Sequence, residues 1–327
     1  MISRRLRALR RRLLTPSVSE TLLDVRGFHK KNPQAQELLE TVGRTFLLGY
    51  SYAVEAKSGA EAEARLEEIP KPFRGFAYEG AGMGCAMLDA LPFTHNHHLD
   101  DCLAGRGDRH VYMVYVGIGW AMARLPRFRW PKAEKFDPLL RGLILDGYGF
   151  HQAYFKTERY VHDQYQDPSF SWPDDGTRRY SNNAIDQGIG RAMWFVGGTD
   201  AALVASMIDK FPESRQADLY AGTALAATYA GGVDQRELHL LRDRAAKYRP
   251  QLAQASAFAA EARVRADLLV PHTPTATQVL CGMSPERAAG ITQDVRPVGP
   301  VDGDKPAYEV WRSRIAQEFI SIGGVNK

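Results

Sequence analysis

The chain contains only three cysteines, Cys85, Cys102 and Cys281, and no CxxC pair. An odd count without such spacing excludes a fully bridged disulfide scaffold and leads us to expect a reducing, cytoplasmic setting. Long apolar runs are also scarce. The longest, 111–123, is too short for a transmembrane span and carries two glycines. No segment alternates apolar and polar residues long enough to build a sheet. A Walker loop, a dinucleotide fingerprint after a strand, a G-x-S-x-G elbow and zinc-ribbon spacing are all missing, and no organic cofactor is expected. The G-x-G pieces fall inside helical patterns, where they do not cradle phosphate. A secretory leader is not expected, because no proper apolar core and small-residue cleavage site follow the first residues.

Cationic charge is concentrated in one place. Arg4, Arg5, Arg7, Arg10, Arg11 and Arg12 fall within the first fourteen residues, which hold no acid. Without these six, 36 basic side chains face 38 acidic ones. Such an amphipathic arm suits acidic lipid at a membrane periphery, nucleic acid or an acidic protein surface, or is simply solvated. With no basic excess elsewhere, a nucleic-acid partner is not expected.

Glycine, by contrast, recurs in phase. LGYSYAVEA at Gly49, EGAGMGCAM at Gly80, VGIGWAMAR at Gly117, DGYGFHQAY at Gly147, QGIGRAMWF at Gly188 and AGTALAATY at Gly222 align, with spacings of 31, 37, 30, 41 and 34 residues. That period predicts an all-α fold built as an α/α helical-hairpin repeat array, a solenoid or a toroid. It is distantly tetratricopeptide-like: Leu48-Gly49-Tyr52 and Val116-Gly117-Trp120 match the first helix of such a unit, but the small residues of its second helix are missing. Small residues at the glycine and four positions on predict close helix approach, with Ala192 and Ala226 buried against neighbours. The expected organisation is a basic arm (1–20), a helical-repeat domain (21–291), a Pro/Gly linker (292–306), and a C-terminal helix and tail (307–327).

Departures from the repeat mark a candidate site. Glu79, Asp146 and Gln187 precede the glycine where other copies are apolar, Arg191 stands at +3 and His151 at +4. Gln187 and Arg191 share a helix face, whereas Asp146 and His151 lie about 140° apart around theirs. As an enzyme without an organic cofactor, the chain would use His151, Asp146, Asp186 and Glu79 for acid–base catalysis. Arg191, Gln187, Trp194, Tyr154, Trp120 and Phe150 would bind the substrate. The plainer alternative is that these polar groups satisfy backbone near helix starts, and the chain is a scaffold for a partner protein. His95, His97, His98 and Asp101 in THNHHLDDC are weak metal candidates, since a solvated loop explains them equally well.

Several phrases point further. FAYEGAGMGCAMLD, HVYMVYVGIGWAMARL, LDGYGFHQAYF, DQGIGRAMWF, RQADLYAGTALAATYAGG and YRPQLAQASAFAAEAR resemble the uncharacterised proteins encoded with enediyne polyketide gene clusters, labelled UnbL-like enediyne biosynthesis proteins. The resemblance covers roughly residues 15–290. It implies a role in maturing a polyene polyketide, with a long apolar polyene as ligand and a polyketide synthase or another biosynthetic protein as a further partner. It supplies no reaction. QLAQASAF stands where that family has QLAQGAAF, which points to a divergent member.

Overall fold

The computed structural model describes residues 4–92, 97–173, 177–299, 301 and 303–323. Every regular element in them is helical. Six central helices carry the repeated glycines and are named by them here. They are Gly49 (Pro33–Glu55), Gly80 (Lys71–Asp89), Gly117 (Val111–Arg124), Gly147 (Arg141–Phe155), Gly188 (Ser181–Val196) and Gly222 (Glu213–Tyr229). Each packs on the next in sequence order, and a seventh, Arg249–Arg265, continues the row.

The glycines set how closely these helices approach. A Cβ at Gly117 would lie 2.1 Å from the Glu79 carbonyl oxygen, and one at Gly147 would lie 1.9 Å from that of Val116. Gly188 stands against the Asp146 carbonyl and Gly222 against that of Gln187, at 1.9 and 1.8 Å. The second glycine of the pair faces the other way. Gly119 would meet the Ile144 carbonyl at 1.9 Å and Gly149 that of Ile185 at 2.1 Å. The Gly80, Gly117, Gly147 and Gly188 helices therefore touch both neighbours backbone to backbone, one through position 0 and the other through +2, whereas Ser51 and Ala224 hold +2 in the first and sixth helices. Glycine weakens a helix by about 1 kcal/mol, and the close backbone contact, with its Cα–H to carbonyl approach, offsets that cost.

Neighbours run in the same direction: Asp146 stands beside Gln187 and, two turns on, Tyr154 stands beside Phe195. The row then wraps around. Arg263 in the seventh helix donates to the carbonyl of Pro72, at the start of the Gly80 helix (3.1 Å). The His29 amide, just before the Gly49 helix, reaches the Val196 carbonyl at the end of the Gly188 helix (2.9 Å).

The segments between central helices are unequal. Helices Gly59–Glu67, His98–Ala104, Ala201–Ile208 and Gln235–Ala245 fill four of them. Only single tight turns link the Gly117 helix to Gly147, and none of the described residues between Gly147 and Gly188 forms an α-helix. The uniform hairpin expected from the period is thus not what repeats. The central helix and its crossing repeat, within a packed helical bundle.

Local signals account for the helix ends. Asn32 accepts from the Ala35 amide with Pro33 at the first helical position, and Asp200 accepts from Leu203. Asp218 lies inside the sixth helix, which starts right after Pro212. Its carboxylate is buried against Arg312 Nη2 (2.7 Å) and Asn183 Nδ2 (2.8 Å). The last helix, Ala307–Ser321, docks on the Arg249–Arg265 helix, with Trp311 Nε1 donating to the Thr292 carbonyl (2.7 Å). No helix of the described residues is long and apolar enough to cross a membrane.

Gly119→Ala should lower stability by about 3 kcal/mol or more, because the new methyl meets backbone on the next helix. Gly290→Ala, on a helix with nothing within 4 Å of the new carbon, should raise it by roughly 0.5–1 kcal/mol. Urea denaturation of both variants tests the contrast, and equal effects would mean the crossings are not set by the glycines.

Candidate functional site

With positions 0 and +2 used for the crossings, another face of each central helix looks inward. Around the array, the residues at −4, −1, +3 and +7 from the glycine line one central cavity. They include Phe76, Glu79 and Met83; Met113, Val116, Trp120 and Arg124; Leu143, Asp146, Phe150 and Tyr154; Arg191 and Phe195; and Leu225 and Tyr229. Spacings of three and four keep such residues on one helix stripe. Phe46 and Leu47 complete one wall, and Tyr308 and Trp311 from the last helix complete another.

The cavity between the lining atoms is about 1280 Å³ including the open mouth. Arg124 is exposed, and it lines the cavity with the partly exposed Phe155, Pro16 and Glu20 near the ends of the Gly117 and Gly147 helices.

Three charged side chains meet deep in this apolar space. Arg191 Nη1 donates to Asp146 Oδ1, and Arg191 Nη2 stands 3.6 Å from Glu79 Oε1. Trp120 Nε1 donates to the same Glu79 oxygen (3.0 Å), and Gln187 Nε2 donates to Asp146 Oδ2 (2.7 Å) and meets the Tyr308 hydroxyl (2.9 Å). The Arg191 guanidinium also lies over the Phe150 ring, 5.1 Å from its centre. Each of the three charged residues is at most 6% exposed.

One guanidinium cannot neutralise two carboxylates, and the imbalance shows at Glu79. Burial pushes its carboxyl up to about 7; Arg191 and Trp120 oppose the rise, and Asp146 adds to it. The contacts of that carboxyl fall on Oε1, which leaves Oε2 to carry a proton. Burial beside one guanidinium and a second carboxylate thus raises the Glu79 carboxyl toward neutrality among aromatic walls.

His151 lies at the mouth end, edge-on to Trp120 and tilted over Phe155. Burial pushes its imidazole down to about 3, and Arg124, Lys156 and Arg26 add to the fall. It is therefore neutral in ordinary buffers. Its Nδ1 is buried with no partner among the described residues, which suits hydrogen bonding to a guest better than proton storage.

The structure thus brings Glu79, Asp146, Gln187, Arg191, Trp120, Phe150, Tyr154 and His151 to one place. It does not bring Asp186 or Trp194 there. Asp186 points to the far side of its helix, gripped by Arg215 through Nε (2.9 Å) and Nη2 (2.6 Å), and burial pushes its carboxyl up to about 6 against that pull. Trp194 is fully buried, with Nε1 donating to the Gly231 carbonyl (3.0 Å). Ala192 and Ala226 are both buried as expected, and Ala226 also lines the cavity. Of the histidine-rich segment, His95 lies outside the described residues. His97 pairs with Asp100 at the surface and His98 Nδ1 with Asp89 (2.8 Å). Among the described residues no group of three or more His, Cys, Asp or Glu is placed to hold a metal ion.

Sequence reasoning missed Met83, Tyr229, Tyr308 and Trp311. The first two occupy +3 and +7, so reading those columns of the alignment would have found them. The other two come from outside the repeat and leave no periodic trace.

In the folded chain Glu79 keeps its proton up to about pH 7, while the unfolded chain releases it near 4.5. Stability therefore falls as pH rises through that window, and the loss is complete above it. Glu79→Gln has no proton to lose. The stability difference between roughly pH 5 and 7.5 should shrink by on the order of 2–3 kcal/mol relative to wild type, read by urea denaturation. Identical pH profiles would place the proton elsewhere.

No curated protein and no solved structure matches this chain. One family model does, over residues 5–319; its description is "Protein of unknown function (DUF1702)". This family is the one referred to as UnbL-like and linked to enediyne biosynthesis gene clusters. The match spans nearly the whole length, and the chain belongs to the DUF1702 family.

Proposed function

We propose that this protein takes a long, slender, conjugated polyketide chain into its central cavity and moves a proton on it with Glu79. The observation that carries the proposal is the raised Glu79 carboxyl, held by Arg191 and Trp120 beside Asp146, in a channel lined mainly by aromatic and aliphatic side chains. The family's link to enediyne gene clusters supports a polyene as the guest. A flat conjugated chain fits the narrow bore, and the rings of Trp120, Phe150 and Tyr154 offer it stacking surfaces.

The chemistry is a proton shift that keeps atoms in balance. Protonated Glu79 gives its Oε2 proton to a carbon or carbonyl oxygen of the guest. The protonated guest then loses a proton from another position to the Glu79 carboxylate, which Arg191 stabilises meanwhile, and exchange of the Glu79 proton with water between turnovers brings in solvent hydrogen. Asp146 and Gln187 hold Arg191 in place. Because Arg191 already faces two carboxylates, it acts through Glu79 rather than by gripping an acidic end of the guest. His151 contributes a neutral hydrogen bond near the mouth. The repeated glycine crossing supports reading the array as one helical repeat wrapped around this channel, and the scarcity of cysteine fits a cytoplasmic protein.

Ala226→Phe places a ring in the channel and should weaken binding of a fluorescent conjugated tetraene fatty acid by at least roughly tenfold, with the melting temperature unchanged or raised. Glu79→Gln should leave that binding within roughly threefold of wild type. It should also abolish the uptake of deuterium from heavy water into the polyene released by the cognate polyketide synthase. If Ala226→Phe binds the tetraene as wild type does, the channel is not the site and the scaffold reading replaces this one. If deuterium uptake survives in Glu79→Gln, the protein binds its guest without the proton chemistry assigned to Glu79.

A further inference from the structure

The helix Arg4–Leu14 lies on the surface the wrong way round for a simple packing element. Arg7 and Arg10 reach inward. Arg10 donates through Nε to the Val54 carbonyl (2.6 Å) and through Nη2 to that of Ala56 (3.2 Å), and Arg7 Nη1 meets Glu61 (2.9 Å). These guanidinium groups cap the open carbonyls at the end of the Gly49 helix and fix the orientation of the surface helix. Its leucines face outward: Leu6, Leu9 and Leu13 are 56%, 49% and 73% exposed. At spacings of three and four they form one stripe. Arg5 and Arg12 fall along the edge of that stripe and are exposed. The stripe ends three residues before Pro16, which lines the channel, and the nearby Val18 is also exposed, at 54%.

We propose that this face is an interfacial membrane anchor that seats the channel mouth on an anionic lipid surface, so that an apolar guest enters from the bilayer. Leucines on the lipid side with arginines at their edge match a helix lying in the headgroup plane: the apolar side chains enter the acyl boundary while the guanidinium groups stay at the phosphates. The arginines make the lipid anionic by charge complementarity. The mouth supplies the reason for the location. A long polyene released into water is poorly soluble, and a mouth adjoining the bilayer spares it that passage. A second copy of the chain would satisfy the leucines but would place no acid opposite Arg5 and Arg12, since the same helix contains none.

The anchor deepens the proposed function but is tested separately from it. In co-sedimentation, the full chain should bind vesicles of mixed phosphatidylcholine and phosphatidylglycerol, and bind those of phosphatidylcholine alone more weakly. The triple variant Leu6→Ser, Leu9→Ser, Leu13→Ser should lose at least roughly tenfold of the affinity for the mixed vesicles. Arg5→Glu with Arg12→Glu should remove the preference for anionic lipid. All five side chains are exposed, and an unchanged melting temperature in each variant confirms an intact fold. Ala226→Phe should sediment as wild type does while failing to extract a fluorescent tetraene fatty acid from the vesicles, so loss of the anchor and loss of the channel give different patterns. Absence of wild-type sedimentation, or equal sedimentation of the leucine variant, would overturn the anchor. So would a wild-type dimer in solution that the leucine variant dissolves, which would assign the stripe to self-association.

Discussion

Everything in this structure depends on helix backbones touching at glycine. A carbonyl oxygen of one helix occupies the place a methyl group would take on the next, at Gly49, Gly80, Gly117, Gly119, Gly147, Gly149, Gly188, Gly190 and Gly222. Side chains cannot occupy a contact that close, so bulk is displaced to the remaining faces. On the inward face it becomes the aromatic lining of the channel; on the outward faces it packs against the connecting helices. The bore is narrow for the same reason, because helices that touch at their backbones enclose a small circle.

Within that circle the charged cluster is an electrostatic consequence of chain geometry. Glu79, Asp146 and Arg191 come from three central helices and from two columns of the repeat, −1 and +3. Had all copies kept apolar residues there, the channel would be a plain greasy tube. Two carboxylates and one guanidinium, all nearly devoid of solvent, leave one proton to be held. The cluster can hold it at Glu79 because Asp146 receives both Arg191 and Gln187, whereas Glu79 receives the more distant contact of Arg191 and the indole of Trp120.

Much of this was legible in the sequence. The phase of the glycines gave the central helices, and the polar residues that broke the phase gave most of the cluster, since a charge in an apolar column must have a partner. Asp186 misled because it neighbours Gln187 in sequence, yet one residue along a helix turns a side chain by about 100°, enough to carry it to Arg215. Trp194 misled in the same way, since its position, +6, is not on the lining stripe. The regular hairpin was not recoverable from spacing, because a period counts residues and says nothing about whether a connection is a helix or a loop. Tyr308 and Trp311 could not be read at all: their place in the channel follows from how the last helix docks on the Arg249–Arg265 helix.

The sharing of one arginine among three helices also bears on how the chain assembles. In an open array of like units, each unit rests on its neighbour alone, and stability grows unit by unit. Here the Gly147 and Gly188 helices could pair first, but Glu79 arrives from the Gly80 helix, two places away. Until it does, Trp120 lacks its acceptor and Arg191 has one carboxylate in place of two. Arg263 then ties the seventh helix to the start of the second, and His29 ties the first to the end of the fifth. Partial arrays therefore leave buried polar groups unpaired at either end, and such intermediates are penalised. The fold should form and come apart as one cooperative body, despite a sequence that reads as a chain of repeats.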